Sequence, residues 1–489
     1  MLSFSRRMLL RGGAAVLALL LVVLGLRIYD VQRGPPLGPW HTFVPEELPR
    51  AAIDAADWPV YLAAEDAILR TVRTEVTDQL ERADRVRANR YYAGSPVNPM
   101  RFAQDWNRSF VLEPAGPVRG AAVFLHGLTD APFSLRHLAE AYRARGFAAV
   151  AIRMPGHGTV PAGLISAAWE DWMAATRLAV REARRRTGPN APLHLVGYSN
   201  GGALALMHAL DAIDDPALPR ADRIVLLSPM VGVTAFARFA GIAALPALLP
   251  RFAKTAWLDL QPEFNPFKYN SFPVNAARQT HRLTAALQAR LDRLAAAGRL
   301  GGLPPVLTFQ SVVDATVSTP AVLSHLYARL PANGSEIVLF DLNRNTRFGP
   351  LFGATDASVA ALERLLPPAP RAFAVTLLAN AAPTTVETVA RRVAADATEE
   401  DVAPLGLAWP RDIFSLSHVA LPFPPRDGLY GAEPDPVENF GVRLGAIAIR
   451  GERGVLAVGL ESLSRVTSNP FFPYLIGRVT EGLPGVAQP

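Results

Sequence analysis

The sequence predicts an α/β fold, a mostly parallel central sheet with helices on both faces, and three observations predict it. Short apolar runs recur at Ala121–Leu125, Ala148–Ile152, Leu193–Val196, Ile224–Leu227 and Val306–Phe309, each the length of a buried strand. Between them lie stretches of helical composition, Ser134–Arg145 and Ala168–Arg186, and strands alternating with helices give a parallel sheet covered on both sides. Third, at Gly197-Tyr198-Ser199-Asn200-Gly201 a strand passes directly into an apolar helix.

Composition sets the outer limits. A chain of 489 residues, 50% hydrophobic and 8% aromatic, buries a large core and reads as one main domain with insertions. The net charge of +6 does not point to nucleic acid: Lys254 and Lys268 are the only lysines, the arginines are scattered, and no basic run carries interleaved aromatics. With no cysteine in the chain, disulfides and thiolate metal sites are excluded.

The N-terminus opens with Arg6, Arg7 and Arg11, followed by an unbroken apolar run from Gly12 to Leu26. We read residues 1–30 as an N-terminal transmembrane helix that anchors the chain, with the arginines on the cytoplasmic side. That orientation places the body of the protein across the membrane, in a bacterial periplasm. Ser5 to Arg11 also resembles a twin-arginine export signal, but no A-x-A cleavage site follows. Residues 31–108 are expected to form a stalk, stiffened by Gly34-Pro35-Pro36-Leu37-Gly38-Pro39, and then a helical segment from Trp58 to Arg85. The main domain spans 109–489.

That domain starts with an edge strand, Ser109–Leu112. The strand Ala121–Leu125 ends in His126-Gly127-Leu128-Thr129-Asp130, and Ala148–Ile152 in Met154-Pro155-Gly156-His157-Gly158. On the helix Ala168–Arg186, Trp169, Trp172, Met173 and Val180 share one face, the pattern of core packing. At the fourth run, glycines two before and two after Ser199 permit a sharp strand-to-helix turn. The turn lifts Ser199 Oγ above the sheet edge and aims the amides of the following helix at the same spot. A serine so placed beside free N–H donors suits acyl transfer.

LHG at Leu125–Gly127, PGHG at Pro155–Gly158 and GYSNG at Gly197–Gly201, in this order and spacing, resemble the α/β-hydrolase superfamily. Within it they are most similar to the branch of monoglyceride lipases, carboxylesterases and proline iminopeptidase-like enzymes. The resemblance covers roughly Arg119 to Leu330. It implies an α/β-hydrolase fold with Ser199 as nucleophile, an acid after a later strand and a histidine near the C-terminal end. It also implies an oxyanion hole from the backbone N–H groups of Leu128 and Asn200, with His126 shaping the loop. Epoxide-hydrolase and dehalogenase relatives carry aspartate at the nucleophile, so Ser199 argues against those chemistries.

The resemblance further implies a cap insertion after the sixth strand. Here residues 234–300 separate Ile224–Leu227 from Val306–Phe309, and they are rich in large apolar side chains. Phe236, Phe239, Leu248 and Phe252 are the substrate-binding candidates, suited to an acyl chain.

Asp314 follows the strand Val306–Phe309. A helix start marked by Thr319 and Pro320 leaves it free to orient a histidine, and it is preferred over Asp341, read as a turn residue after Ile337–Phe340. The base departs from the family pattern, because Leu342–Pro350 contains no histidine. Of the two that follow Asp314, His325 falls within a helix, whereas His418 lies in the loop-like Ser415–Pro425 and is assigned as base. The intervening residues 344–410 form an additional insertion, with a strand at Ala372–Leu378 and a helix at Thr384–Ala394. A β-hairpin at Gly445–Ile449 and Val455–Val458 and a helix over Phe471–Val479 complete the chain.

The expected function is serine hydrolysis of carboxylic esters of apolar acyl or lipid-like substrates, through a Ser199–His418–Asp314 triad and an acyl-enzyme. No metal or organic cofactor is required. The expected partners are a small-molecule or lipid ester and, through the N-terminal helix, a membrane, with no nucleic acid. An amidase or peptidase, an acyltransferase and a non-catalytic binding protein on the same fold are the alternatives.

Overall fold

The computed structural model describes residues 24–232, 245–347, 366–446 and 467–485, with isolated positions 14, 18, 22, 364 and 465. Its centre is a ten-stranded sheet. The strands among the described residues are β1 (Phe110–Leu112), β2 (Gly120–Leu125), β3 (Phe147–Ile152), β4 (Leu193–Tyr198), β5 (Arg223–Leu227), β6 (Trp257–Asp259), β7 (Phe272–Pro273) and β8 (Val306–Ser311). They continue with β9 (Glu336–Phe340), β10 (Ala374–Asn380), β11 (Glu387–Val393) and β12 (Glu400–Ala408). The sheet order is β1-β3-β2-β4-β5-β8-β9-β10-β11-β12, while β6 and β7 form a separate pair. Every neighbouring pair from β3 through β10 is parallel, and β1, β11 and β12 run antiparallel at the two margins.

Period-two alternation explains the two layers of core. Ala121, Val123 and Leu125 of β2 enter one apolar cluster and Ala122 and Phe124 the other. Among the described residues, the long helices on the first face are α1 (Trp58–Val72), α3 (Trp169–Thr187), α4 (Asn200–Asp214) and α5 (Val274–Ala296). The second face takes α2 (Arg136–Arg143) and α6 (Phe472–Val479). Both faces are covered, which is why β2, β3 and β4 are buried along their whole length.

The chain crosses from β3 back past β2 to lay down β4, so the winding direction reverses between two adjacent strands. In open parallel sheets the crevice at such a reversal is where ligands bind. Here the ends of β2 and β4 carry the His126–Asp130 loop and Ser199.

Four expectations need correction. Residues 31–108 are not a separate stalk: α1 starts on an Asp57 cap that accepts from the Val60 N–H at 3.0 Å, and Trp58 and Tyr61 join the main core. Glu65 and Glu47 bind the buried Arg153 guanidinium, and Tyr61 donates to the Arg153 carbonyl at 2.7 Å. The long insertion follows the fifth strand, β5, because β1 alone precedes the parallel run. Its second half is α5, whose Leu283, Leu287, Leu291 and Leu294 pack into the sheet-covering core, so residues 274–296 build the body. The helix expected at Thr384–Ala394 is strand β11, where Thr388, Val389 and Val393 favour extended backbone on an antiparallel margin.

The expected anchor, residues 1–30, lies largely outside the described residues. Among those described, a helix runs over 24–32, and no helix is long and apolar enough to cross a membrane. The expected hairpin at Gly445–Val458 also lies mostly outside them.

Candidate active site

Steric fit makes the turn at Ser199 what it is. Ser199 sits at φ 54°, ψ −117°, in the left-handed region that costs a residue with a Cβ about 1–3 kcal/mol. The strain is held by three hydrogen bonds: Ser199 N–H to the Leu227 carbonyl at 2.9 Å, and Met230 and Gly202 N–H to the Ser199 carbonyl at 2.9 and 3.0 Å. Glycine is required at both flanks. A Cβ on Gly201 would collide with the Leu125 backbone carbonyl, and one on Gly197 with the Gly201 carbonyl.

The loop after β2 closes against the same serine. A Cβ on Gly127 would stand 3.2 Å from Ser199 Cβ. His126 is buried and shapes this loop, its Nε2 accepting from Met154 N–H at 3.0 Å and its Nδ1 lying 2.9 Å from the Gly127 carbonyl. Burial pulls its pKa down to about 4, so the ring is neutral. Thr129 holds a positive φ of 63° in the loop. Lys268, half-buried, donates to Thr129 Oγ1 at 2.9 Å, and Tyr269 N–H donates to the Thr129 carbonyl at 2.8 Å. Among the described residues, no acceptor is assigned to the N–H of Leu128 or of Asn200.

Asp314 and His418 meet across 104 residues of chain. His418 Nδ1 lies 3.0 Å from Asp314 Oδ2, with the aspartate side chain fully shielded and the histidine nearly so. Asp314 Oδ1 accepts from Thr316 and Val317 N–H at 2.8 and 3.0 Å, and Gln310 Nε2 lies 3.2 Å from Oδ2. Burial opposes charge on this carboxyl, but the His418 imidazole and the two amides outweigh it and hold the pKa below the ordinary value. Asp314 is therefore an anion that accepts from Nδ1, leaving Nε2 as the basic nitrogen.

Tyr198 connects this pair to the serine. Its hydroxyl donates to the His418 carbonyl at 3.3 Å, and its ring lies 5.2 Å from the imidazole, centroid to centroid. The residue before Ser199 thus touches the residue expected to be the base. Ser417 caps the short turn His418–Ala420 by accepting from Ala420 N–H, and its hydroxyl donates to the Arg465 carbonyl at 2.7 Å. The Arg465 guanidinium bonds Thr316 Oγ1, in the turn that cradles Asp314. Arg465 accordingly joins the acid loop to the histidine loop.

The other candidates fall elsewhere. Asp341 follows β9 and pairs with Arg344 at 3.5 Å, and His325 lies in a helical turn over Val322–Leu326. Phe236 and Phe239 are outside the described residues. Leu248 closes the turn Leu245–Leu248, and Phe252 is half-buried in the turn Pro250–Ala256. Sequence reasoning missed Gln310, Lys268, Tyr198 as a contact of His418, and Arg465. Only Lys268 carried a signal, as one of two lysines in the chain.

A hydroxyl on a strained turn, two amides without acceptors and an imidazole braced by a carboxylate are the parts of acyl transfer. Residues 116–342 match the family described as serine aminopeptidase, S33. A thermostable monoacylglycerol lipase of Bacillus sp. (strain H-257) is 29% identical over 224 residues, 46% of this chain and 80% of the relative. Among solved structures, a monoacylglycerol lipase of Paleococcus ferrophilus aligns at 18% identity and TM-score 0.36, over 53% of this chain and 98% of that one. A soluble variant of the Saccharomyces cerevisiae monoglyceride lipase aligns at 15% identity and TM-score 0.36, over 48% and 82%.

Proposed function

We propose that this α/β-hydrolase, a serine hydrolase of the esterase and lipase-like kind, cleaves carboxylic esters of apolar, lipid-like acyl groups with Ser199, His418 and Asp314. The observation that carries the reading is the His418 Nδ1 to Asp314 Oδ2 contact at 3.0 Å, held beside the nucleophile turn by the Tyr198 bond to His418.

His418 Nε2 takes the Ser199 proton as Oγ attacks the ester carbonyl, and the carbonyl oxygen gains negative charge. The N–H groups of Leu128 and Asn200 stabilise that oxyanion, each such donor contributing about 3–4 kcal/mol to the transition state. His418 then gives its proton to the departing alkoxide, leaving an acyl group on Ser199. In the second half, His418 takes a proton from water as it attacks the acyl-enzyme, and returns that proton to Ser199 Oγ as the acid leaves. Asp314 stays ionised throughout and stabilises the imidazolium.

The name of the monoacylglycerol lipase relative supports an acyl-glycerol type of substrate. We extend the reading to location: the apolar run Gly12–Leu26 with its flanking arginines anchors the chain, with the catalytic body in a periplasm. The test of substrate class compares kcat/KM for a matched acyl ester and acyl amide. An ester preference of at least about 10³-fold supports the reading, and equal or better amide turnover transfers it to the amidase class.

A further inference from the structure

The N-terminal arm and the cap segment are hydrogen-bonded into one unit. An Arg27 guanidinium nitrogen donates to the Trp257 carbonyl at 2.8 Å and Gln32 Nε2 to the Arg251 carbonyl at 2.9 Å. From the other side, Lys254 Nζ donates to the Gly34 and Gln32 carbonyls at 2.9 and 3.3 Å. Further along, His41 Nε2 lies 3.0 Å from Ser271 Oγ, and its ring packs edge-on against Trp257.

The helix over 24–32 is apolar on two sides. Leu24, Ile28 and Val31, at the i, i+4, i+7 spacing of one stripe, are half-buried. Val22, Leu26 and Tyr29 repeat the same spacing on another stripe, and each is more than half exposed. Leu249, on the cap segment just ahead of Arg251, is exposed to the same degree. Large apolar side chains exposed together on two joined segments mark a surface that something covers. Charge says what covers it. The stretches 24–34 and 249–257 carry Arg27, Arg33, Arg251 and Lys254 against the single carboxylate Asp30. Arg33 lies over the Tyr29 ring at 4.5 Å, so a cation closes the exposed stripe. Apolar side chains rimmed by cations match an anionic lipid surface, with tails below and phosphates above.

We propose that the arm and the cap turn form a single docking face for an anionic bilayer, so that the cap itself sits at the lipid surface. The face is then more than an anchor: part of the insertion after β5 meets the lipid surface together with the arm. The docking does not rest on the lipid-ester reading.

The absence of native cysteine allows a direct test on the full chain. Leu249→Cys, Leu26→Cys and Val402→Cys, the last on outer strand β12, are each labelled with an environment-sensitive fluorophore. Vesicles of phosphatidylcholine with about a third phosphatidylglycerol, containing nitroxide-labelled lipid, are then added. Quenching at 249 and 26 but not at 402 is expected, and Arg33→Glu with Arg251→Glu should lower the quenching at 249 several-fold. Quenching at 26 alone would overturn the proposal, as an arm in lipid with the cap away from it. Quenching nowhere, or equally at 402, would also overturn it. So would a concentration-dependent shift at 249 without vesicles, which would assign the face to a second copy of the chain. Hydrolysis of a short water-soluble ester in the same samples reports separately on the catalytic reading.

Discussion

The Tyr198 hydroxyl donates to the backbone carbonyl of His418 at 3.3 Å. The nucleophile turn and the histidine loop are 220 residues apart in sequence, and this bond links them through the residue next to Ser199. The phenol is buried and burial pushes its pKa up, so it stays protonated and remains a donor.

Tyr198→Phe keeps the ring against the imidazole and removes only the hydrogen bond. It should cost about 1 kcal/mol of stability and lower kcat by about tenfold with KM little changed. Denaturant unfolding and steady-state kinetics on one preparation check both. Unchanged kcat would make the contact structural only.

Asp314→Asn should leave the fold intact while lowering kcat by about 10³–10⁴-fold. The amide can present N–H to His418 Nδ1 and so stabilise the wrong tautomer. Asp341→Asn, at the alternative acid, should change kcat by less than about threefold. Reversal of the two effects would move the acid to β9.

Gly201→Ala tests the elbow sterically. The added methyl would run into the Leu125 carbonyl, and because that atom belongs to β2 it cannot turn aside. The variant should accumulate poorly or lose several kcal/mol of stability, measured by soluble yield and denaturant midpoint. A fully stable Gly201→Ala would contradict the geometry of the turn.

Acid should weaken this fold early. Burial lowers the pKa of His41 and His126 to about 4, and burial with Arg223 nearby lowers His194 to about 3. Each ring therefore takes its proton in the unfolded chain, near pH 6.5, before it does so in the folded one. The stability is fully present above that pH and falls toward pH 4, by about 1.4 kcal/mol per pH unit per ring. Urea midpoints measured from pH 8 to pH 4 should drop, and His194→Gln should flatten the drop.

How much could be read in advance follows from what each feature depends on. Strands β2, β3, β4, β5 and β8 are buried on both faces, so they are apolar runs in any context, and the glycines about Ser199 are demanded by backbone sterics alone. Strand β11 was misread because its exposed margin carries Arg391 and Arg392, whose helical propensity outweighed the signal of Val389 and Val393. Residues 31–108 read as a stalk because their attachment rests on Glu47 and Glu65 meeting Arg153, contacts with no local pattern. The same holds for Gln310, which reaches Asp314, and for Arg465, which reaches Thr316 in the turn beside it, only once the chain has folded. The resemblance implied an acid after a later strand and a histidine downstream, and Asp314 and His418, the residues chosen for those places, lie 3.0 Å apart.

The central claim is that Ser199 is a nucleophile activated by His418. It is tested most directly by the mass of the full chain after exposure to a fluorophosphonate. One phosphonyl group per chain is expected, located on the peptide carrying Ser199, absent in Ser199→Ala and formed on the order of 10³-fold more slowly in His418→Ala. A wild-type chain that stays unlabelled, or a Ser199→Ala chain labelled as fast as wild type, would contradict it.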